Sequence, residues 1–307
     1  YPVFTGRRKP ADTGAGEYRP RDPGSYMKKS IKWWVSCFAF LVMFFWGASK
    51  EFSGMYLEKI NPVSETLGRY QMMLFCFLLL LLYFIPFVVF IRYTCRKLEV
   101  SRKLPVIAFF SGWFIPGWIA GQLNDAAEKL IRMLTSKTFT DEWGDTIETP
   151  IVEESLKVIV VVWLLCLIGK HLRKHYLIAG MTVGMGFQIS EDLNYIEEQV
   201  SGSHSDFVEA IPFTLGERVA GGLVSHWCYT ALMAVGIYLF FREKNRKTGI
   251  LLILAVLLDH GLWDSFLSDS DLGTAILSAA LFILFVAVYE RTLNSPEDDM
   301  RKINSLL

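Results

Sequence analysis

Four segments of this chain put ionisable side chains inside apolar runs. TPIVEESLKVIVVVWLLCLIG, Thr149–Gly169, carries Glu153, Glu154 and Lys157 near its start. GFQISEDLNYI carries Phe187, Glu191 and Asp192, and ERVAGGLVSHWCYTALM carries Arg218, His226 and Thr230. LLDHGLWDSF carries His260 and Asp264. Glu153 and Lys157, Phe187 and Glu191, His226 and Thr230, and His260 and Asp264 are each i,i+4, so each pair shares one helix face. Carboxylate, imidazole and ammonium together can activate a water, stabilise a developing anion and deliver a proton, or relay protons along an ion path.

The residue types suggest roles. Glu154 or Glu153 is expected as the general base, with Glu191 sharing the water or positioning a histidine. His226 and His260 are expected to hold the water, bind a developing anion or supply a proton, and Asp264 to orient a histidine. Lys157 offsets charge beside the glutamate pair, and Arg218 does so at the rim. Ser155 lies about 100° around the helix from Glu154, and Cys228 has no evident partner, so a serine or thiol nucleophile is not favoured. Five carboxylates, Asp192 among them, face one lysine and two imidazoles, and in a low-dielectric layer they cannot all ionise. A divalent metal such as Zn²⁺ is the other solution, with His226, His260, Glu154 and Glu191 as candidate ligands. The spacings lack the HExxH metal signature, so a glutamate mechanism without a cofactor is the preferred expectation.

The elements that must position these groups are membrane helices. Of 307 residues, 52% are hydrophobic, and they come in long runs rather than at helical or strand period. Windows of about 20 apolar residues recur, the length that crosses a bilayer. The expected fold is all-α and polytopic, with eight spans near 31–49, 70–92, 104–123, 150–169, 176–196, 219–241, 249–267 and 273–290. The membrane domain covers 31–291, with the active-site spans at about 150–267. Residues 1–30, basic and rich in Pro and Gly, read as a disordered cytoplasmic tail, and 292–307 as a second cytoplasmic tail. The first apolar run lacks a small-residue cleavage site and reads as a retained span.

Most of the 31 Lys and Arg fall on one set of alternate segments; the other set holds only Lys50, Lys59, Arg69, Lys129, Arg132, Lys137 and Arg218. That asymmetry puts both termini in the cytoplasm. The ionisable groups of all four motifs then lie within roughly 5–12 Å of the outer boundary, at about 1.5 Å per residue. Each motif alone has a plain structural reading, such as an interfacial carboxylate, a snorkelling lysine or a core histidine. Four such readings at one depth are a poor coincidence. Gly117 with Gly121, and Gly180 with Gly184, read as small-residue contacts for close helix packing, and the outer segments 124–149 and 197–218 as solvated acidic loops. The five cysteines show no metal or disulfide spacing.

The four motifs resemble those of the PrsW family of bacterial intramembrane proteases. Glu153, Glu154 and Lys157 match its Glu-Glu-x-x-Lys; Phe187, Glu191 and Asp192 match its Phe-x-x-x-Glu-Asp. Arg218, His226 and Thr230 resemble its third motif, and His260 with Asp264 its fourth. The resemblance covers roughly residues 105–290. It implies an endopeptidase in a bacterial plasma membrane that cuts a membrane-anchored protein, such as an anti-sigma factor, and it warns that related folds persist as silent scaffolds. A proton- or ion-coupled transporter is the alternative, since intramembrane acids also mark ion paths. That reading predicts repeats, broken helices and midplane charges, whereas these charges lie nearer one face. The expected partners are a membrane-anchored substrate and the bilayer. Basic inner loops are topology signals, so no nucleic acid is expected.

Overall fold

A computed structural model describes residues 30–55, 63–201 and 207–295. The expected tails therefore lie outside the described residues, apart from Ser30 and 292–295. Among the described residues the chain is all helical, without a strand. Ser30 caps α1 (Ile31–Gly54), its hydroxyl accepting from the Trp33 amide. α2 (Val63–Leu79) and α3 (Leu81–Lys97) follow, then α4 (Lys103–Phe114) and α5 (Pro116–Leu134). α6 (Lys137–Ile168) ends where Gly169 turns left-handed at φ 67°, with the Lys170 amide donating to Leu165 O at 2.9 Å. α7 (Arg173–Ser201) and α8 (Phe207–Phe213) lead into a π-helical turn, Thr214–Val219, and a short α9 (Ala220–Gly222). α10 (His226–Phe241), α11 (Arg246–Trp263) and α12 (Asp271–Leu293) complete the chain.

Among the described residues, five helical stretches are long and apolar enough to cross a membrane: Ile31–Ser53, Glu65–Lys97, Lys103–Leu134, Glu209–Phe241 and Asp271–Leu293. α6 and α7 fall short where they carry the polar motifs, and α11, 18 residues long, holds Arg246, Lys247 and Asp259. Their surroundings explain how they tolerate those charges. α7 is buried continuously from His175 to Ser190 and packs against α4, α6 and α10. A helix enclosed by protein need not be apolar all round. Large apolar side chains such as Trp34, Phe38, Phe45 and Leu78 are exposed on α1 and α2, where lipid can cover them.

Close packing on α7 depends on glycine. A Cβ on Gly184 would strike the His226 carbonyl, and one on Gly180 would sit 2.7 Å from Thr230 O, so α10 lies directly against the α7 backbone. Of the other expected pair, Gly117 faces the Ser190 hydroxyl, whereas Gly121 faces open space and makes no close contact.

Several boundaries differ from expectation. The run at 70–92 is two helices meeting at Leu80. Segment 124–149 is not a loop but a helical hairpin of α5 and α6, pinned near its turn by Arg132 to Glu128 (2.6 Å) and Asp141 (3.4 Å). Most of the described part of 197–218 is also helical. The expected helix over 219–241 is broken: α9 stops at the Gly221–Gly222 pair, and Ser225 leaves helical geometry (φ −155°, ψ −132°) just before His226.

Candidate active site

Two cations organise the site, one buried and one partly buried. Lys157 is fully buried on α6, where an unmatched ammonium would be costly. Its Nζ lies 2.6 Å from Glu154 Oε1, 3.3 Å from Glu153 Oε2 and 2.8 Å from His226 Nδ1. The Phe187 ring closes its remaining side at 4.1 Å, a cation–π contact. Thr230 donates to Glu154 Oε2 at 3.2 Å. Glu154 is thereby sealed between α6 and α10, with no exposed surface.

Arg218, in the π-helical turn, is the second cation. Its Nε donates to Asp192 Oδ1 at 2.7 Å and its Nη2 to Glu191 Oε1 at 3.0 Å. Asp192 also accepts from Tyr83 on α3 (2.6 Å) and from Gln188 one turn earlier (2.8 Å). Gln188 in turn accepts from the Ser225 hydroxyl. Asp192 is thus the knot that ties α3, α7 and the irregular segment before α10, and it does not face the cavity. Glu191 reaches further, its Oε2 lying 2.6 Å from His226 Nε2. An ammonium can only donate, so His226 Nδ1 accepts from Lys157 and its proton sits on Nε2, given to Glu191.

His260 is held differently. It is 3% exposed. Nδ1 lies 3.3 Å from Glu154 Oε1 but is misaligned for a hydrogen bond. Nε2 lies 3.5 Å from Asp264 Oδ2 and 4.0 Å from Glu153 Oε2. Asp264 sits just past the end of α11 rather than within a helix, yet stays within reach of His260.

Glu153, Glu191, His226, His260 and Asp264 share the wall of one cavity of about 440 Å³, with Arg218 at its edge. Glu154, Lys157 and Asp192 stand behind that wall. Glu153, His226 and His260 each offer a donor atom, and those atoms lie within 4.8 Å of one another. Two imidazoles and a carboxylate are a donor set that catalytic Zn²⁺ takes, and His226 would join it through Nε2 by giving up its contact with Glu191. Glu153, rather than Glu154 or Glu191, completes the set.

The sequence reading missed Tyr83, Gln188, Ser225, Tyr229 and Asp259. Gln188 and Asp259 carried a signal, being polar residues one turn before Asp192 and next to His260. Tyr83 arrives from a distant helix and carried none.

A bundle with helices able to cross a membrane, enclosing a carboxylate–imidazole site that opens on a cavity, defines a membrane-embedded hydrolase. A family model described as PrsW family intramembrane metalloprotease matches residues 100–289, more than half of the chain. The chain belongs to that family and is a multi-pass intramembrane protease. No curated protein and no solved structure matches it.

Proposed function

We propose that this chain is an endopeptidase that hydrolyses a peptide bond in or beside the outer part of the bilayer, in a membrane-anchored protein. The observation that carries this reading is the convergence of Glu153, Glu191, His226, His260 and Asp264 on one cavity, with the acids of α6 matched to buried Lys157 and those of α7 to partly buried Arg218. Eight crossings, both termini in the cytoplasm and a bacterial plasma membrane complete the proposal. An anti-sigma factor is the substrate class that the family resemblance supplies.

Glu153 is the cavity-facing member of its pair and takes a proton from water as the water oxygen attacks the carbonyl carbon. His260 Nε2, between Glu153 and Asp264, donates to the developing oxyanion. As the C–N bond breaks, Glu153 returns its proton to the leaving amine. Glu191 has one oxygen on Arg218 and the other on His226, which suits holding His226 rather than serving as a second base. Glu154 and Lys157 fix Glu153 and His226 from behind. Asp264, 3.5 Å from His260 Nε2, orients that imidazole in the resting site and releases its N–H as the oxyanion forms.

A second reading is favoured by the clustered donor atoms: Glu153, His226 and His260 would hold a divalent metal, which when bound supplies a Lewis acid and a more acidic water. Purified protein in liposomes, given a panel of single-pass substrates, tests both. Loss of cleavage in Glu153→Gln and His260→Ala with resistance to chelators supports the glutamate reading. Loss on chelation and recovery with Zn²⁺ supports the metal reading. Cleavage that survives both substitutions overturns the site.

A further inference from the structure

The two histidines of the cavity are held in different ways. His226 is fixed at both ring nitrogens, by Lys157 and Glu191. His260 has three charged neighbours at 3.3–4.0 Å and no aligned hydrogen bond. Something else must set its plane. The Tyr229 ring lies parallel to the His260 imidazole, 4.7 Å between centroids and 8° between planes. Offset parallel stacking is a favoured aromatic geometry. Tyr229 is itself pinned, because its hydroxyl donates to Asp259 Oδ2 at 2.8 Å. Asp259 directly precedes His260 on α11. The chain therefore forms a closed ring of contacts: Asp259 to His260 through the backbone, His260 to Tyr229 by stacking, Tyr229 back to Asp259 by hydrogen bond.

Two features mark this as more than core packing. Asp259 is a half-buried carboxylate in the apolar stretch LLILAVLLDHGLW, where a lone acid is expensive, and among the described residues no cation pairs with it. Tyr229 also lines the cavity and stands one turn after His226, so one ring spans the space beside both imidazoles. The imidazoles themselves meet edge to face at 5.3 Å.

We propose that Tyr229 and Asp259 are positioning residues that set the imidazole plane of His260 for the hydrolytic step. Tyr229 is the clamp and Asp259 its tether. This rests on the proposed peptidase reading, so the test has an arm that needs no activity. Histidine-labelled protein in detergent contains five imidazoles, and the His260 signals are those lost in His260→Ala. Tyr229→Leu should abolish the ring-current displacement of the His260 ring protons, and Tyr229→Phe should keep most of it. In cleavage of a membrane-anchored reporter, Tyr229→Leu should lower kcat about tenfold or more with KM within about twofold, because a misplaced catalytic group costs rate rather than binding. Tyr229→Phe, which keeps the stack, should recover most of that loss.

Tyr229→Phe and Asp259→Asn touch opposite ends of one bond. Their double variant should be no worse than Tyr229→Phe, and this comparison serves if Tyr229→Leu does not assemble. Unchanged His260 shifts in Tyr229→Leu, or additive losses in the double variant, would overturn the clamp whatever the activity. Lost shifts with unchanged kcat would overturn its role in the reaction. A wild type that cleaves no reporter would overturn the peptidase reading, and the shifts would still decide the clamp.

Discussion

Glu153 and Glu154 are adjacent, identical in type and different in duty. Helical geometry turns them about 100° apart, so Glu153 reaches the cavity while Glu154 is enclosed with Lys157 and Thr230. Neutralising each should separate chemistry from stability. Glu154→Gln leaves Lys157 without its nearest counter-charge in a sealed site, and breaking a buried pair costs about 3–5 kcal/mol. We expect a lower melting temperature in detergent, with activity falling in step with folded protein. Glu153→Gln leaves the shorter Lys157–Glu154 contact, at 2.6 Å, in place. It should melt close to wild type and lose at least about a hundredfold in kcat. The reverse pattern, with a stable and inactive Glu154→Gln beside an active Glu153→Gln, would exchange the roles assigned to the two residues.

The helices that carry the site are held by two contrasting devices, bare backbone contact and buried charge. The first predicts that Gly184→Ala forces α7 and α10 apart at the His226 carbonyl and stretches the 2.6 Å contact between His226 and Glu191. Overpacking of this kind costs about 1–3 kcal/mol, and activity should fall beyond what the lost stability explains. Gly121→Ala, facing open space, serves as the control and should change neither. The α5–α6 hairpin supplies a pH test outside the spans. Glu148, ahead of the span that begins near residue 150, is buried with an unpartnered Oε2. Burial, then the nearby Asp145, Glu128 and Asp125 carboxylates, push its carboxyl up to about 7. The folded group thus keeps its proton while the unfolded one loses it, so stability is full near pH 4.5, falls as pH rises toward 7, and stays low above that. Glu148→Gln should raise the melting temperature at pH 8 and leave it unchanged at pH 4.5; equal effects at both would dismiss the titration. Sequence alone made the motifs legible, because i,i+4 spacing fixes which side chains share a face and apolar context reveals a costly charge. It did not reveal the hairpin, whose polar faces lack the apolar window by which spans are recognised. Nor did it reveal the break at Leu223–Ser225, because Gly221 and Gly222 are compatible with close packing as well as with a break. Tyr83 on Asp192 and Tyr229 on His260 join different helices, and no spacing along one chain encodes such a pairing.

At the scale of the molecule, the open matter is how many passes are crossings, and parity decides it. Among the described residues five stretches are long and apolar enough to cross; eight crossings require α6, α7 and α11 as well. Five would put the termini on opposite sides, eight on the same side. Long-range contacts favour eight. Trp33, at the start of α1, donates to Leu167 O at the end of α6 (3.0 Å). Arg173, at the start of α7, pairs with Glu243 just past α10 and approaches the Arg291 carbonyl near the end of α12 (3.4 Å). One end of the bundle therefore gathers the start of α1, the ends of α6, α10 and α12 and the start of α7. The other end joins Arg69 to the Ser201 carbonyl (2.7 Å) and Thr146 to that of Asp264 (3.0 Å). The first end also carries Lys170, Lys174, Arg242, Lys244, Arg246 and Lys247, the basic excess from which the proposed orientation puts this end in the cytoplasm. With the five cysteines changed to serine, Glu142→Cys on the hairpin should react with a membrane-impermeant thiol reagent on intact cells. Lys244→Cys should react only after permeabilisation. Reporter fusions at the two termini should both read as cytoplasmic. Termini on opposite sides would remove a crossing from the count, and an accessible Lys244→Cys would invert the bundle and turn the cavity toward the cytoplasm. The two results together fix which side of the membrane a substrate must present to Glu153.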